Sequence, residues 1–269
     1  MKGATPHIAA ASLVLPLLCG SQGTADGLLA VKAGRIITMA GAPISGGTIL
    51  IADGKIKRIG TDIRIPEEAA VIEAAHGVVM PGLVDANARF AIRGDANEQS
   101  DEITPAFRIS GAIDSDSKAL KRAVQLGVTT LRIAPGNANV IAGSGAVIKS
   151  TGDTLDDMLV AEGRELTVVM GNDAASGNRI PRYQTPDSFY YRQPTTRMGV
   201  VWLLRKALFD TQMARKSGEE LSPAQRTIAD AMRGKVPIHV AVRSAVDIET
   251  TFHIADEFGL RRLVLLECT

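Results

Sequence analysis

Hydrophobic positions along this chain change rhythm near Phe90. From Leu28 to Ile72 they fall in short runs divided by turn residues: Leu29 to Thr38, a loop carrying Gly41, Pro43, Gly46 and Gly47, Thr48 to Ile51, then Ile56 to Gly60. Asp53-Gly54 sits between the last two runs, and Asp-Gly flanked by alternating apolar residues is a strong hairpin signal. Short strands with turns about every ten residues predict a small sandwich. Past Phe90, a polar acidic loop (Asp95 to Thr104) leads to an amphipathic helix over Asp114 to Gly127. Its apolar side is Ala119, Leu120, Ala123, Val124 and Leu126, and a β-branched strand, Val128 to Ile133, follows it. Thr196 is a credible N-cap for a helix starting at Arg197, with Leu203, Ala207 and Phe209 as its core face. Helices alternating with short buried strands predict βα units and a parallel sheet, so the fold class is α/β. Between Ala174 and Pro194 lies a polar, Tyr-bearing loop, long enough to be a lid or an insert.

Composition narrows the function. The chain has 269 residues, 45% of them hydrophobic, with 30 basic and 29 acidic residues and a net charge of +1. That is enough to bury a sizeable core, and the charge balance argues against nucleic acid or anionic membrane as a partner. At the N-terminus, Lys2, the apolar stretch Ile8 to Leu18 and the small residues up to Ala25 match a secretory signal peptide over residues 1–25. Its apolar core is too short for a stable membrane span. The expected location is therefore periplasmic or secreted. Cys19 invites a lipoprotein reading, but the bulky Leu17 and Leu18 before it argue against one. Removing the signal leaves only Cys268, so no internal disulfide is expected.

The segment Val78 to Phe90 joins an apolar run to a Pro81-Gly82 turn, resumes as Leu83-Val84, and ends in Asp85-Ala86-Asn87-Ala88-Arg89. It resembles the first barrel strand of the amidohydrolase superfamily, where "PGLIDxHxH" ends in two metal-ligating histidines. Asn87 and Arg89 stand at those positions. Pro135 to Lys149 lacks phosphate-loop spacing and a following helix, so nucleotide binding is rejected there. It resembles a segment of a subgroup related to imidazolonepropionases and prolidase-like enzymes, as do Asn97 to Pro105, Thr196 to Leu208 and Val246 to Leu260. The resemblance implies a β-sandwich over 26–80, of the kind the strand pattern already predicts, followed over 81–269 by a partial (β/α)8 TIM-like barrel.

What the resemblance implies for chemistry depends on the replaced positions. Zinc or another divalent metal serves the family. In the fifth-strand motif "HxHRADDI", anchored here on Asp247-Ile248, the histidine positions hold Ala241 and Arg243, and Glu267 falls where the next strand brings its histidine. Alanine offers no donor, and a guanidinium is permanently cationic. No cofactor is therefore expected in this chain, with His239 and Glu267 the only weak metal candidates. Of the other histidines, His7 lies in the signal, His76 ahead of the first barrel strand and His253 in a helix. Lys149 resembles, in position, the carbamylated lysine of bimetallic members. Asn97, Glu98, Asp101 and Lys149 are the substrate-side candidates, and Arg89 could hold a substrate carboxylate or pair with Asp85 or Glu98.

Two readings follow. By resemblance the chain is a hydrolase of carbon–nitrogen bonds in non-peptide or dipeptide-like substrates, catalytically impaired by the lost ligands. Alternatively it is a non-catalytic periplasmic binding protein for a small molecule, or the partner subunit of an active paralogue; the lost ligands favour this second reading. A barrel ending near its sixth strand would leave open edges, so a fragment, a homo-oligomer or a hetero-oligomer with that paralogue is expected.

Overall fold

The computed structural model describes residues 27–98, 100–176 and 194–268. The expected signal peptide with His7 and Cys19, and most of the Ala174–Pro194 loop, lie outside the described residues. The chain divides between Pro81 and Gly82 into two compact units, and its architecture is mixed α/β with three sheets.

The first unit holds β1 (Leu29–Ile36), β2 (Ile44–Ala52), β3 (Lys55–Gly60) and β4 (Ala70–Val79), in the order β3-β2-β1-β4. β1 runs antiparallel to β2 and parallel to β4. The Asp53-Gly54 hairpin forms as its residues require. Ala52 pairs with Lys55, and Asp53 and Gly54 have φ of 53° and 67°, the two positive angles of a type I′ turn. The described residues of this unit form one sheet rather than two, with a small core of Ala33, Ile36 and Ile49 backed by Val31, Ile44, Ile51 and Val79. Pairing of β1 with β4 slips between Ala33 and Arg35, because β4 carries two extra residues there, and His76 belongs to that bulge. Gly34 permits it: a Cβ at Gly34 would lie 2.3 Å from the Ala75 carbonyl oxygen.

The second unit contains two four-stranded sheets. One is β5 (Leu83–Ala88), β6 (Val128–Ile133), β8 (Ala146–Lys149) and β9 (Leu159–Glu162), in that order. The other, β12-β11-β10-β7, is built from β7 (Ile141–Gly143), β10 (Leu166–Val169), β11 (Ile238–Ala241) and β12 (Leu263–Leu266). β5 is parallel to β6, and β10, β11 and β12 are mutually parallel. Between β6 and β10 the chain makes antiparallel pairs instead of a βα unit. Consequently β11 and β12 are the fourth and fifth parallel strands among the described residues, one fewer each than the motif order suggested.

The helices are α1 (Lys118–Gln125), the short α2 (Leu155–Met158) and α3 (Asn172–Ser176), α4 (Arg197–Ser217), α5 (Pro223–Met232) and α6 (Ala245–Phe258). α1 starts four residues later than its hydrophobic pattern, because Ser117 caps it by accepting from the Ala119 amide at 3.3 Å. Gly127, with φ 83°, turns the chain into β6. In this helix Leu120 and Ala123 are buried while Leu126 is exposed. Thr196 does cap α4, accepting from the Gly199 amide at 3.1 Å. Its core face is Val200, Leu204, Leu208 and Ala214, with Leu203 and Ala207 partly buried. Phe209 departs from expectation, since it faces solvent with Met198, Trp202 and Met213. α4, α5 and α6 cover the core built on β10, β11 and β7.

Replacing Gly34 with Ala should cost about 1–3 kcal/mol through overpacking against the bulge. Urea unfolding would measure it, and an unchanged midpoint would show that the slip does not need Gly34.

Candidate active-site mouth

Side chains two apart on a strand share a face, and on three strands of the second unit those faces converge. Asn87 and Arg89 come from the end of β5, Arg243 from beyond β11 and Glu267 from beyond β12. Asn137, in the loop after β6, and Asp173, in α3 after β10, complete the cluster. All six lie at the C-terminal ends of parallel strands, where α/β barrels collect their sites.

Glu267 is the centre. Its Oε2 receives Arg243 Nη2 at 2.6 Å and Asn137 Nδ2 at 3.1 Å, and its Oε1 receives Asn87 Nδ2 at 3.3 Å. Arg89 Nη2 also lies against Oε1, but off the N–H direction, so that contact is ionic rather than a hydrogen bond. Arg243 Nε reaches Asp173 at 2.9 Å and thereby bridges the two carboxylates. Burial alone would raise the Glu267 carboxyl, yet Arg89, the two asparagine amides and Arg243 together hold it below its ordinary value. Arg89 is pressed downward, first by burial and also by the charges of Arg243 and Arg132, with Glu267 opposing. Glu267 has φ 60°, a conformation non-glycine residues adopt at some cost.

A second charged layer lies deeper. Arg132 of β6, almost fully buried, donates from Nε to Glu165 Oε2 at 2.7 Å and from Nη2 to Glu165 Oε1. Glu165 also accepts the Gly145 amide at 2.9 Å. Desolvation pushes the Glu165 carboxyl up, but the Arg132 hydrogen bonds and charge, aided by His239 and that amide, bring it below the usual glutamate range. His239 Nδ1 sits 3.1 Å from Glu165 Oε2 without hydrogen-bond alignment. Burial keeps His239 below its ordinary pKa, partly offset by Glu165 and reinforced by Arg132.

Of the residues singled out from sequence, Asn87, Arg89, Arg243 and Glu267 meet at the mouth. Ala241 lies buried on the same strand face, between Arg243 and His239. The substrate-side candidates sit elsewhere. Asn97 accepts the Ala138 amide at 2.8 Å, and a Cβ on Gly136 would collide with its side chain, so Asn97 clips the acidic loop to the loop after β6. Glu98 and Asp101 accept amides of Ser100 and Ile103 in local turns. Lys149 is paired across the sheet with Thr130, toward the start of β6 and away from the mouth. Sequence reasoning missed Asn137, Asp173, Arg132 and Glu165. A charged residue inside the buried run Val128 to Ile133 was the available signal for Arg132.

These residues do not fit a divalent cation. Metal ligation needs several deprotonated donors, and the two carboxylates at the mouth are already shared by two guanidiniums that keep their charge. Among the described residues no group of three or more His, Cys, Asp or Glu is arranged to hold an ion.

An amidohydrolase from Thermotoga maritima MSB8 superposes on this chain with a TM-score of 0.76 at 25% sequence identity, covering 88% of the chain and 63% of that protein. This chain belongs to the amidohydrolase superfamily. An imidazolonepropionase from Symbiobacterium thermophilum is 31% identical over 102 residues, which are 32% of this chain and 23% of that protein. The chain thus spans less than two thirds of either superfamily relative. No family model matches the sequence. Superfamily members generally use a divalent metal; the charged side chains at this mouth are two guanidiniums and two carboxylates.

Both Glu165 and Glu267 have folded pKa values below the ordinary 4.5. The stability they contribute is complete above that value and is lost as pH falls through the lower, folded values. Urea midpoints measured from neutral to acid pH should begin to fall below about 6.5, where unfolded His239 takes up a proton that the folded chain resists, and should fall further below about 4.5 as the two carboxylates lose their charge. Arg132→Leu alone should cost about 3–5 kcal/mol at neutral pH, and Arg132→Leu with Glu165→Leu should recover most of it. Equal losses in the single and double variants would contradict a buried pair.

Proposed function

We propose that this superfamily member is a non-catalytic, periplasmic small-molecule binding protein that has exchanged metal-dependent hydrolysis for a fixed, charge-balanced mouth. The observation that carries the reading is Glu267 gripped by Arg243, Arg89, Asn137 and Asn87, with guanidiniums where the resemblance places metal-ligand histidines. Any remaining activity would be toward carbon–nitrogen bonds, the chemistry of the family. In this reading residues 1–25 are a signal peptide, 26–80 are one part of an N-terminal β-sandwich, and 81–269 make a partial (β/α)8 TIM-like barrel. No described helix is long and apolar enough to cross a membrane. Among the described residues the amide oxygens of Asn87 and Asn137 have no hydrogen-bond partner, and they are the acceptors this mouth presents to a polar ligand; an active paralogue is the partner this reading implies.

The test restores the first-strand pair. With Asn87→His and Arg89→His, an ion would gain two imidazoles but would still face Arg243 and lack the supporting shell, whose loss typically costs ~10–100-fold in affinity or activity. The wild type and this double variant should both fail to hydrolyse cyclic amides or dipeptides when supplied with zinc. Chelator-sensitive turnover by either would overturn the proposal.

A further inference from the structure

α4 is apolar on two opposite sides. Val200, Leu204, Leu208, Thr211 and Ala214 are buried. Met198, Trp202, Phe209 and Met213 are exposed, at 79%, 56%, 53% and 45%. At 3.6 residues per turn these four fall within roughly 60° of one another, directly opposite the buried stripe. Single exposed apolar residues are ordinary; four on one helix face, spread over about 22 Å as two pairs with Arg205 between them, point to an interaction surface.

The spacing of the stripe points to its occupant. Met198 and Trp202 are separated by four residues, Trp202 and Phe209 by seven, and Phe209 and Met213 by four, so the pattern is the same read from either end. Its centre falls between Arg205 and Lys206. A second copy of α4 laid antiparallel about a two-fold axis at that point sets Met198 against the other copy's Met213 and Trp202 against its Phe209. This is the self-complementarity an isologous contact demands. The basic residues at the centre do not oppose it, because each carries its own carboxylate. Arg205 Nε bonds Glu257 of α6 at 2.7 Å, and Lys206 pairs with Asp210. α6 runs beside α4 in the same direction, tied at its start by Arg197 to Asp247 at 3.4 Å, and its exposed Val246 extends the apolar surface beyond Met198.

We propose that the exposed face of α4 is a homodimer interface, formed by antiparallel two-fold packing of α4 against α4 of a second copy. This does not depend on the function proposed above. One helix pair of this length buries less than a standard interface, so the dimer belongs to the weak class, with dissociation on the order of micromolar.

Trp202 is the chain's only tryptophan and lies at the predicted contact. The full chain should show a monomer–dimer equilibrium by sedimentation velocity across the micromolar range, with Trp202 emission shifting to the blue in step with dimer formation. Trp202→Glu and Phe209→Glu should each abolish the dimer while leaving the circular dichroism spectrum and urea midpoint unchanged, and Trp202→Phe should retain it. A chain that stays monomeric throughout would overturn the proposal. So would blue-shifted emission in the monomer, which would mean that another segment covers the face, or a dimer indifferent to both glutamate variants.

Discussion

A guanidinium withdrawn from water cannot release its proton, so it must be given a carboxylate, and the interior of the second unit is arranged around that requirement. Arg132 takes Glu165 across the seam between the two sheets, since Arg132 belongs to β6 and Glu165 leads into β10. Arg243 takes Glu267 and Asp173, and Arg89 leans on Glu267. The first pair is deep and fully bonded. The second is set at the strand ends, where its partners come from β5, β11, β12 and the segments after β6 and β10. Charge pairing therefore does two jobs: it binds the sheets together below and closes the mouth above.

The consequence for chemistry follows from the count of charges. Two cations and two anions meet at the mouth, and a divalent ion entering there would have to compete for Glu267 with an ion pair at 2.6 Å while remaining near both guanidiniums. Histidine at these positions would be neutral and able to donate a lone pair; arginine is neither. The residues present form a set of donors aimed at a carboxylate, and Glu267 is that carboxylate.

Much of this was legible in the residues. The Asp53-Gly54 turn, the strand at Val128 to Ile133, the Gly127 turn and the Thr196 cap are short-range signals whose physics is local, and each appears where the pattern put it. Asn87, Arg89, Arg243 and Glu267 were marked by the resemblance, and the fold brings them together. The single sheet of the first unit, the antiparallel insertion between β6 and β10 and the outward turn of Phe209 depend on long-range pairing or on which helix face finds a core. Asn137 and Asp173 were invisible because nothing near them in sequence says that their strands end beside β12. Asn97 read as a binding residue, yet its polarity is spent on the Ala138 amide; polar density in a loop does not separate a ligand contact from a backbone clip.

The most direct test of the account is a crystal structure of the protein grown with excess zinc, with anomalous data collected above and below the zinc absorption edge. The account predicts the Glu267 carboxylate between Arg89 and Arg243 and no anomalous peak at the mouth. A peak bonded to Glu267, with either arginine swung away, would contradict it.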